Sequence, residues 1–289
     1  MTGKWHIGVI GGSGLAAGIG IEDAQEIEVA SPWGLPSGAV TTGTLEGVRF
    51  TFLPRHGAGH AIPPSAVNYR ANIDALKRCG VTDLVALSAI GSLNAAMAPG
   101  HFVAVDQLID QTTSREASFF GPGLVAHVSL ADPVCPRLRA GLVAAAKKQD
   151  AVVHDGGCYV AIEGPQFSTR AESRLYQSWG ADVIGMTALP EARLAREAEL
   201  PYALLGMVTD YDSWRESETG VDAADVIAVM ARNVSTAQQV VRSFAKQLPK
   251  SRSASPIDHA LDHAIMTAPA ARDPGLVARL QAVAGRVLG

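Results

Sequence analysis

Short apolar runs rich in β-branched residues recur along the chain up to residue 247 and alternate with segments of helical periodicity. Such runs are typical of buried strands. They predict strands at Trp5–Ile10, Val48–Leu53, Leu84–Ala89, Phe102–Ile109, Val152–Val153, Tyr159–Ile162, Asp182–Met186 and Tyr202–Val208. The predicted helices are Val67–Cys79, Pro136–Gln149, Thr169–Trp179, Pro190–Glu199 and Asp222–Gln247. This alternation predicts an α/β fold around a mostly or partly parallel sheet.

The composition changes at Lys250–Pro256, a serine-rich stretch that ends in proline and is typical of a linker. We therefore divide the chain into a main domain, residues 1–249, and a linker with a C-terminal helical tail, residues 250–289. Apolar residues recur at helical spacing on either side of the prolines of the tail. They predict two short amphipathic helices, which carry Ile257, Leu261, Ala264 and Ile265, and Leu276, Leu280, Val283 and Val287.

The composition narrows the range of partners. Of 289 residues, 47% are hydrophobic and 18% are charged, and the net charge is -4. Without a basic cluster or a long apolar run, we expect neither a nucleic-acid nor a membrane partner. The cysteines Cys79, Cys135 and Cys158 are odd in number and lack metal-ligand spacing. We therefore expect reduced thiols, a cytoplasmic location and no zinc site.

A glycine-rich turn, Gly11–Gly14, follows the first predicted strand and contains Ser13. It half-matches a dinucleotide fingerprint, with Ala17 in the last position, but no clear acidic residue ends a following strand. The Gly-x-Ser-x-Gly spacing of a nucleophile elbow is absent. A tight turn with a capping serine remains open. Glycines also let backbone N–H groups approach an anion, so phosphate binding is the interpretation with the most direct mechanism.

Polar side chains at three other strand ends support the phosphate interpretation. Arg55 and His56 follow one strand, and arginine binds oxyanions bidentately while histidine can add a donor. Ser88 lies at the end of a second strand, and Thr187 follows a third. A solvated Arg-His pair is the alternative for Arg55 and His56. Because ligands of α/β sheets collect at strand ends, we predict that these groups converge on one anion.

Two carboxylates, Asp210 and Asp212, follow the last predicted strand. In an extended segment, side chains two residues apart point the same way, so the pair would face a common ligand. In a loop, the same residues would instead cap a turn. A metal site would need further carboxylates nearby, and we predict none.

Several longer motifs occur in a fixed order over residues 5–245. They are Gly11–Gly14, Pro54–Gly57 with His60, Pro63–Pro64, Asn68–Asn72, Glu163–Glu172, Trp179–Asp182, Met186–Thr187 with Pro190–Glu191, and Thr209–Trp214. The chain resembles the 5'-methylthioadenosine phosphorylases of the trimeric branch of the purine nucleoside phosphorylase superfamily. The resemblance implies a single domain with a central mixed β-sheet surrounded by helices. It also implies a homotrimer, with a hexamer as an alternative.

The resemblance further implies that inorganic phosphate attacks C1' of a thio-nucleoside, with no metal or organic cofactor. The implied phosphate site is Ser13, Arg55, His56, Ser88, Ala89 and Thr187. Phe167 and Ser168 would contact the base, Met186 the ribose, and Asp210 and Asp212 N7 and the 6-amino group. His127 would reach the 5' pocket of an adjacent subunit, with an ordinary surface histidine as its alternative. The tail is expected to pack near the active site, where it could close the pocket.

Several alternatives to this function remain open at the level of sequence. The two aspartates favour a 6-aminopurine because a carboxylate accepts hydrogen bonds, which disfavours inosine or methylthioinosine. An apolar 5' pocket would also accept a halogen in place of the methylthio group. A binding protein without catalysis and a phosphate-independent nucleoside hydrolase are the alternatives outside this class.

Overall fold

A mixed sheet of eleven strands forms the centre of the computed structural model, which describes residues 3–215 and 223–289. The strands are β1 His6–Gly11, β2 Glu22–Ile27, β3 Val40–Leu45, β4 Val48–Pro54, β5 Asp83–Ser92, β6 Phe102–Ala104, β7 Gln107–Gln111, β8 Val153–Asp155, β9 Cys158–Ile162, β10 Val183–Gly185 and β11 Tyr202–Asp210. The helices are α1 Ser13–Ile19, α2 Tyr69–Arg78, α3 Pro136–Lys147, α4 Arg170–Ser178, α5 Ala188–Glu197, α6 Ala223–Gln247, α7 Pro274–Arg279 and α8 Gln281–Leu288. The predicted fold class is confirmed.

Helices cover both faces of the central strands. Alternate residues of β5 enter different cores: Leu84 packs on the α2, α5 and α8 side, and Val85 packs on the α1, α3 and α6 side. This alternation follows from the two-residue period of a strand. Both faces are therefore buried, which explains why the central strands read as continuous apolar runs in the sequence.

The long strand β5 changes partner along one of its edges. β11 runs parallel to it along residues 84–91. On the other edge, β1 pairs in parallel with residues 83–86, and β10 pairs antiparallel with residues 91–92. Among the described strands, none pairs with residues 87–90 on that edge. The sheet is therefore open at this point, and the candidate site lies there.

One predicted strand is wrong in extent. Phe102–Ile109 is two strands, because the chain turns after β6. β6 pairs with β11 and β8, whereas β7 pairs with β9. At the break, the Asp106 carboxylate accepts the Gly157 N–H at 3.0 Å, which joins this corner to the loop before β9.

Two strands and one helix were not predicted. All six residues of β2 are exposed, so this edge strand carries no apolar alternation. β3 and the short helix α1 also lie outside the predicted elements. The predicted start of the long helix, Asp222, lies outside the described residues.

Of the two helices predicted in the tail, the second is present but is divided into two short helices. The segment with Leu276 and Val283 forms α7 and α8, whereas the first predicted helix is a single 3-10 turn, Pro256–His259. Leu261 and Val283 are buried in the core beside α2 and α5. Glu199 accepts the Leu261 N–H at 2.9 Å and pairs with Arg286. The domain boundary at residue 250 remains a prediction.

Within the described ranges, no helix is both long and apolar enough to cross a membrane. Cys79, Cys135 and Cys158 are all free thiols.

Candidate functional site

A cavity of about 840 Å³ opens beside residues 87–90 of β5. Its wall includes nine of the residues that the sequence predicts for the site: Arg55, His56, Ser88, Ala89, Phe167, Met186, Thr187, Asp210 and Asp212. The backbone of Ser13 begins α1, but its side chain lies outside the described part of the structure. Ser168 and His127 do not line this cavity.

Arg55 follows β4 and is 1% exposed. Its Nε and Nη2 donate to the two carboxylate oxygens of Glu191 at 2.8 and 3.0 Å, and Nη1 donates to the Leu87 carbonyl at 3.0 Å. Burial acts to lower the pKa of Arg55, but Glu191 outweighs burial and raises it. The guanidinium is thus charged and locked in place. The interpretation of Arg55 as a solvated surface residue is wrong.

His56 lies beside Arg55, and its ring stacks on that of His60 with centroids 4.1 Å apart. Burial lowers the pKa of His56 to about 4, and the Arg55 charge acts in the same direction. Nδ1 lies 2.9 Å from the Ile62 carbonyl oxygen. Because a carbonyl only accepts, Nδ1 carries the hydrogen. Nε2 of the neutral ring is then an acceptor, suited to the hydroxyl of monohydrogen phosphate.

Ser88 and Thr187 meet because β10 runs antiparallel to β5. Ile184 pairs with Gly91, so the chain beyond β10 passes back along β5 toward Ser88. The two hydroxyl oxygens lie 3.2 Å apart. The structure therefore brings together these two of the predicted strand ends, although one strand approaches from the opposite direction. The two hydroxyls and the Arg55 guanidinium lie at one end of the cavity, where Arg55 Nη2 also donates to the Ile10 carbonyl at 3.4 Å and the Ser88 hydroxyl donates to the Ala89 carbonyl at 3.0 Å.

The two carboxylates lie where β11 ends. Asp210 pairs with Gly91 after a shift in strand register, and its carboxylate accepts the Thr209 hydroxyl at 2.6 Å and the Asp212 N–H at 2.8 Å. Asp212 has a φ of 47°, so the chain turns here and the segment is not extended at both residues. Asp210 thus caps a turn, and both side chains also reach the cavity.

The environment of Asp212 changes the acidity of its carboxyl group. Burial raises the pKa of Asp212 to about 6, and the charge of Asp210 adds to the effect. Its Oδ2 accepts the Ser173 hydroxyl at 2.5 Å, which favours the ionised form. With a pKa of about 6, the Asp212 carboxylate takes up a proton as the pH falls below neutral.

The loop after β9 brings Phe167 to the cavity with 43% of its surface exposed. The next residue, Ser168, is 8% exposed, and its buried Oγ has no hydrogen-bond partner among the described atoms. A buried hydroxyl without a partner is costly, so a ligand group is a natural partner for it.

His127 is exposed on a loop held by the tail, where its N–H donates to the Ala264 carbonyl at 2.8 Å. Val125 and Met266, on either side of this contact, are 39% and 58% exposed. The tail does not line the cavity of its own chain.

Sequence reasoning gave no role to three buried residues around the site: Glu191, Arg115 and Ser173. Glu191 was part of a recognised motif, but its partner Arg55 lies 136 positions away. Arg115 contacts Met186 across 71 positions. Pairings at such separations leave no local signal. Within residues 3–215 and 223–289, no group of three or more histidine, cysteine or acidic side chains could hold a metal ion.

Residues 6–246 match the family model of the phosphorylase superfamily. The chain belongs to the phosphorylase superfamily. An S-methyl-5'-thioadenosine phosphorylase of Cereibacter sphaeroides is 57% identical over 99% of both chains. The enzyme of the same name from Nitrosopumilus maritimus is 45% identical over 86% of this chain and 94% of its own. The resemblance seen in the sequence is confirmed.

Solved structures of this superfamily share the fold. A methylthioadenosine phosphorylase from an Antarctic soil metagenome superposes with a TM-score of 0.90 at 44% identity, covering 97% of this chain and 99% of that one. The Schistosoma mansoni methylthioadenosine phosphorylase, in complex with adenine, gives a TM-score of 0.80 at 37% identity over 84% and 91% of the two chains.

Proposed function

We propose that this phosphorylase cleaves S-methyl-5'-thioadenosine with inorganic phosphate, giving adenine and 5-methylthioribose 1-phosphate. One observation carries the proposal: a single cavity joins an end lined by Arg55, Ser88 and Thr187 to a carboxylate pair beside Gly91. Three residues along a strand span about 10 Å, which leaves room for a ribose between a phosphate and a purine. The names of the relatives support the same reaction.

In this proposal, Ser13, Arg55, His56, Ser88, Ala89 and Thr187 hold the phosphate. A phosphate oxygen attacks C1' as the bond from C1' to N9 breaks, and the sugar passes through an oxocarbenium-like state. The phosphate charge stabilises that state. The electron pair of the broken bond leaves with adenine, and a proton from Asp210 reaches N7.

The nucleoside contacts follow from the same arrangement. Met186 lies against the ribose, and Phe167 stacks on the base with the Ser168 hydroxyl at its polar edge. Asp212 accepts from the 6-amino group. The reaction needs no metal or organic cofactor, since phosphate is a co-substrate. It is a pentosyl transfer of purine and methionine salvage, and the free cysteines support a cytoplasmic location.

Adenine nucleosides should be preferred over 6-oxopurine nucleosides. A 6-oxo group would put an acceptor opposite the Asp212 carboxylate, and such a mismatch discriminates by about 10⁴-fold or more. At saturating phosphate, kcat/KM is compared for methylthioadenosine, 5'-chloro-5'-deoxyadenosine, adenosine and inosine. We expect methylthioadenosine first and inosine last. A preference for inosine would contradict the assignment of the carboxylates. A preference for the chloro compound would replace the methylthio group by a halogen in the proposed substrate.

We also propose that the active unit is a homotrimer, in which His127 completes the 5' pocket of a neighbour. Support comes from its exposed position outside the cavity of its own chain, next to the exposed Val125 and Met266. One chain has a mass of 30.1 kDa. Sedimentation velocity should give a particle of three or six chains, and His127→Ala should raise KM for methylthioadenosine while leaving KM for phosphate unchanged. A monomer with full activity would exclude this assembly.

A further inference from the structure

The peptide bond between Met186 and Thr187 joins the residue proposed to contact ribose to one proposed to contact phosphate. Both of its polar groups are held. The Met186 carbonyl accepts from Arg115 Nη1 at 2.5 Å, and the Thr187 N–H donates to the Tyr159 hydroxyl oxygen at 3.2 Å. Because a peptide unit is planar, two such contacts fix the orientation of the whole unit.

Arg115 is built to hold this segment. Its side chain is 1% exposed. It also donates to the carbonyls of Leu189 and Glu163 at 2.8 and 2.7 Å, and to the Glu163 carboxylate at 3.1 Å. That carboxylate accepts the N–H of Thr113 at 2.6 Å, which holds it in turn. One guanidinium thus ties the end of β9 to the connection between β10 and α5.

Tyr159 holds the other side of the peptide from within the core. It is fully buried on β9. Gly185 packs directly on its ring, because a Cβ at that position would lie 2.2 Å from the phenolic oxygen. The tyrosine therefore has little freedom to move. Neither Tyr159 nor Arg115 lines the cavity, so neither would touch a substrate.

We propose that Arg115 and Tyr159 are positioning residues that align the ribose with the attacking phosphate by clamping the peptide between Met186 and Thr187. The inference rests on the proposed function and deepens it. Attack on C1' requires the two substrates at a defined distance and angle, and a misplacement of about 1 Å costs on the order of 100-fold in rate. Loss of the clamp therefore lowers kcat more than it weakens the binding of either substrate.

Tyr159→Phe tests the clamp with almost no change of shape. We expect kcat for methylthioadenosine to fall about tenfold, with KM for phosphate and for nucleoside changed less than about threefold. Arg115→Lys keeps the positive charge but loses the planar set of donors. It should show the same split between kcat and KM, with a larger fall in kcat.

Arg252→Lys is the matched control. Arg252 is also a buried arginine, bonded to Asp83 and Asp258 away from the cavity. It should lower Tm and leave kcat unchanged. If the wild-type enzyme is active and Tyr159→Phe leaves kcat unchanged, the clamp is wrong but the proposed function stands. This conclusion does not depend on whether Arg115→Lys folds. A wild-type enzyme without phosphate-dependent turnover overturns the proposed function, and the clamp with it.

Discussion

Arg55→Met is expected to abolish phosphate-dependent turnover and to lower the free energy of unfolding by about 3–5 kcal/mol. Arg55 and Glu191 are both about 99% buried and share two hydrogen bonds. Removing the guanidinium leaves the Glu191 carboxylate buried with only the Tyr202 hydroxyl, at 3.1 Å, among its described side-chain donors. It also removes the positive charge that we propose binds phosphate. Stability is measured by denaturant unfolding and turnover by adenine release.

A second substitution separates these two effects. Replacing a buried ion pair as a whole is often neutral, because no uncompensated charge remains. Arg55→Met combined with Glu191→Gln should therefore recover most of the lost stability while staying inactive. If the double variant regained activity along with stability, Arg55 would be a structural residue and the assignment of the phosphate site would be wrong.

Asp210→Asn is expected to lower kcat for methylthioadenosine by about 100-fold or more, the usual range for loss of a general acid. Asparagine keeps the size of the side chain and an oxygen that can accept from Thr209 or Asp212, but it has no carboxyl proton to give. The unfolding free energy should change little.

Asp212→Asn provides the comparison for this variant. Asp212 is assigned to the 6-amino group, so its substitution should raise KM for methylthioadenosine more than it lowers kcat. Initial rates for both variants on methylthioadenosine and inosine decide the roles. Turnover of methylthioadenosine by Asp210→Asn near the wild-type rate would remove Asp210 as the proton donor.

The parts of the fold that the sequence predicts are those buried on both faces. β5 and β11 show as continuous apolar runs because helices cover each side of them. β2 is exposed along its whole length, so its strand character depends on pairing with β3 and leaves no apolar pattern. The error at Phe102–Ile109 arises because the apolar Leu108 and Ile109 of β7 follow the apolar β6 after a break of only a few residues.

In the candidate site, too, some residues could be predicted from the sequence and others could not. Residues that line the cavity, such as Arg55 and Asp210, occur in recognisable motifs at strand ends. Residues that hold those groups are less visible, because Glu191 and Arg115 act through partners that are distant in sequence. The raised pKa of Asp212, about 6, has no signal in the sequence either, because it arises from burial in the folded chain.

Adenine release from methylthioadenosine, with and without inorganic phosphate, tests the central claim most directly. The proposed function predicts release that depends on phosphate and an equal yield of 5-methylthioribose 1-phosphate, which ³¹P NMR detects. Equal rates without phosphate, with free methylthioribose as the product, would make the protein a nucleoside hydrolase and contradict the claim.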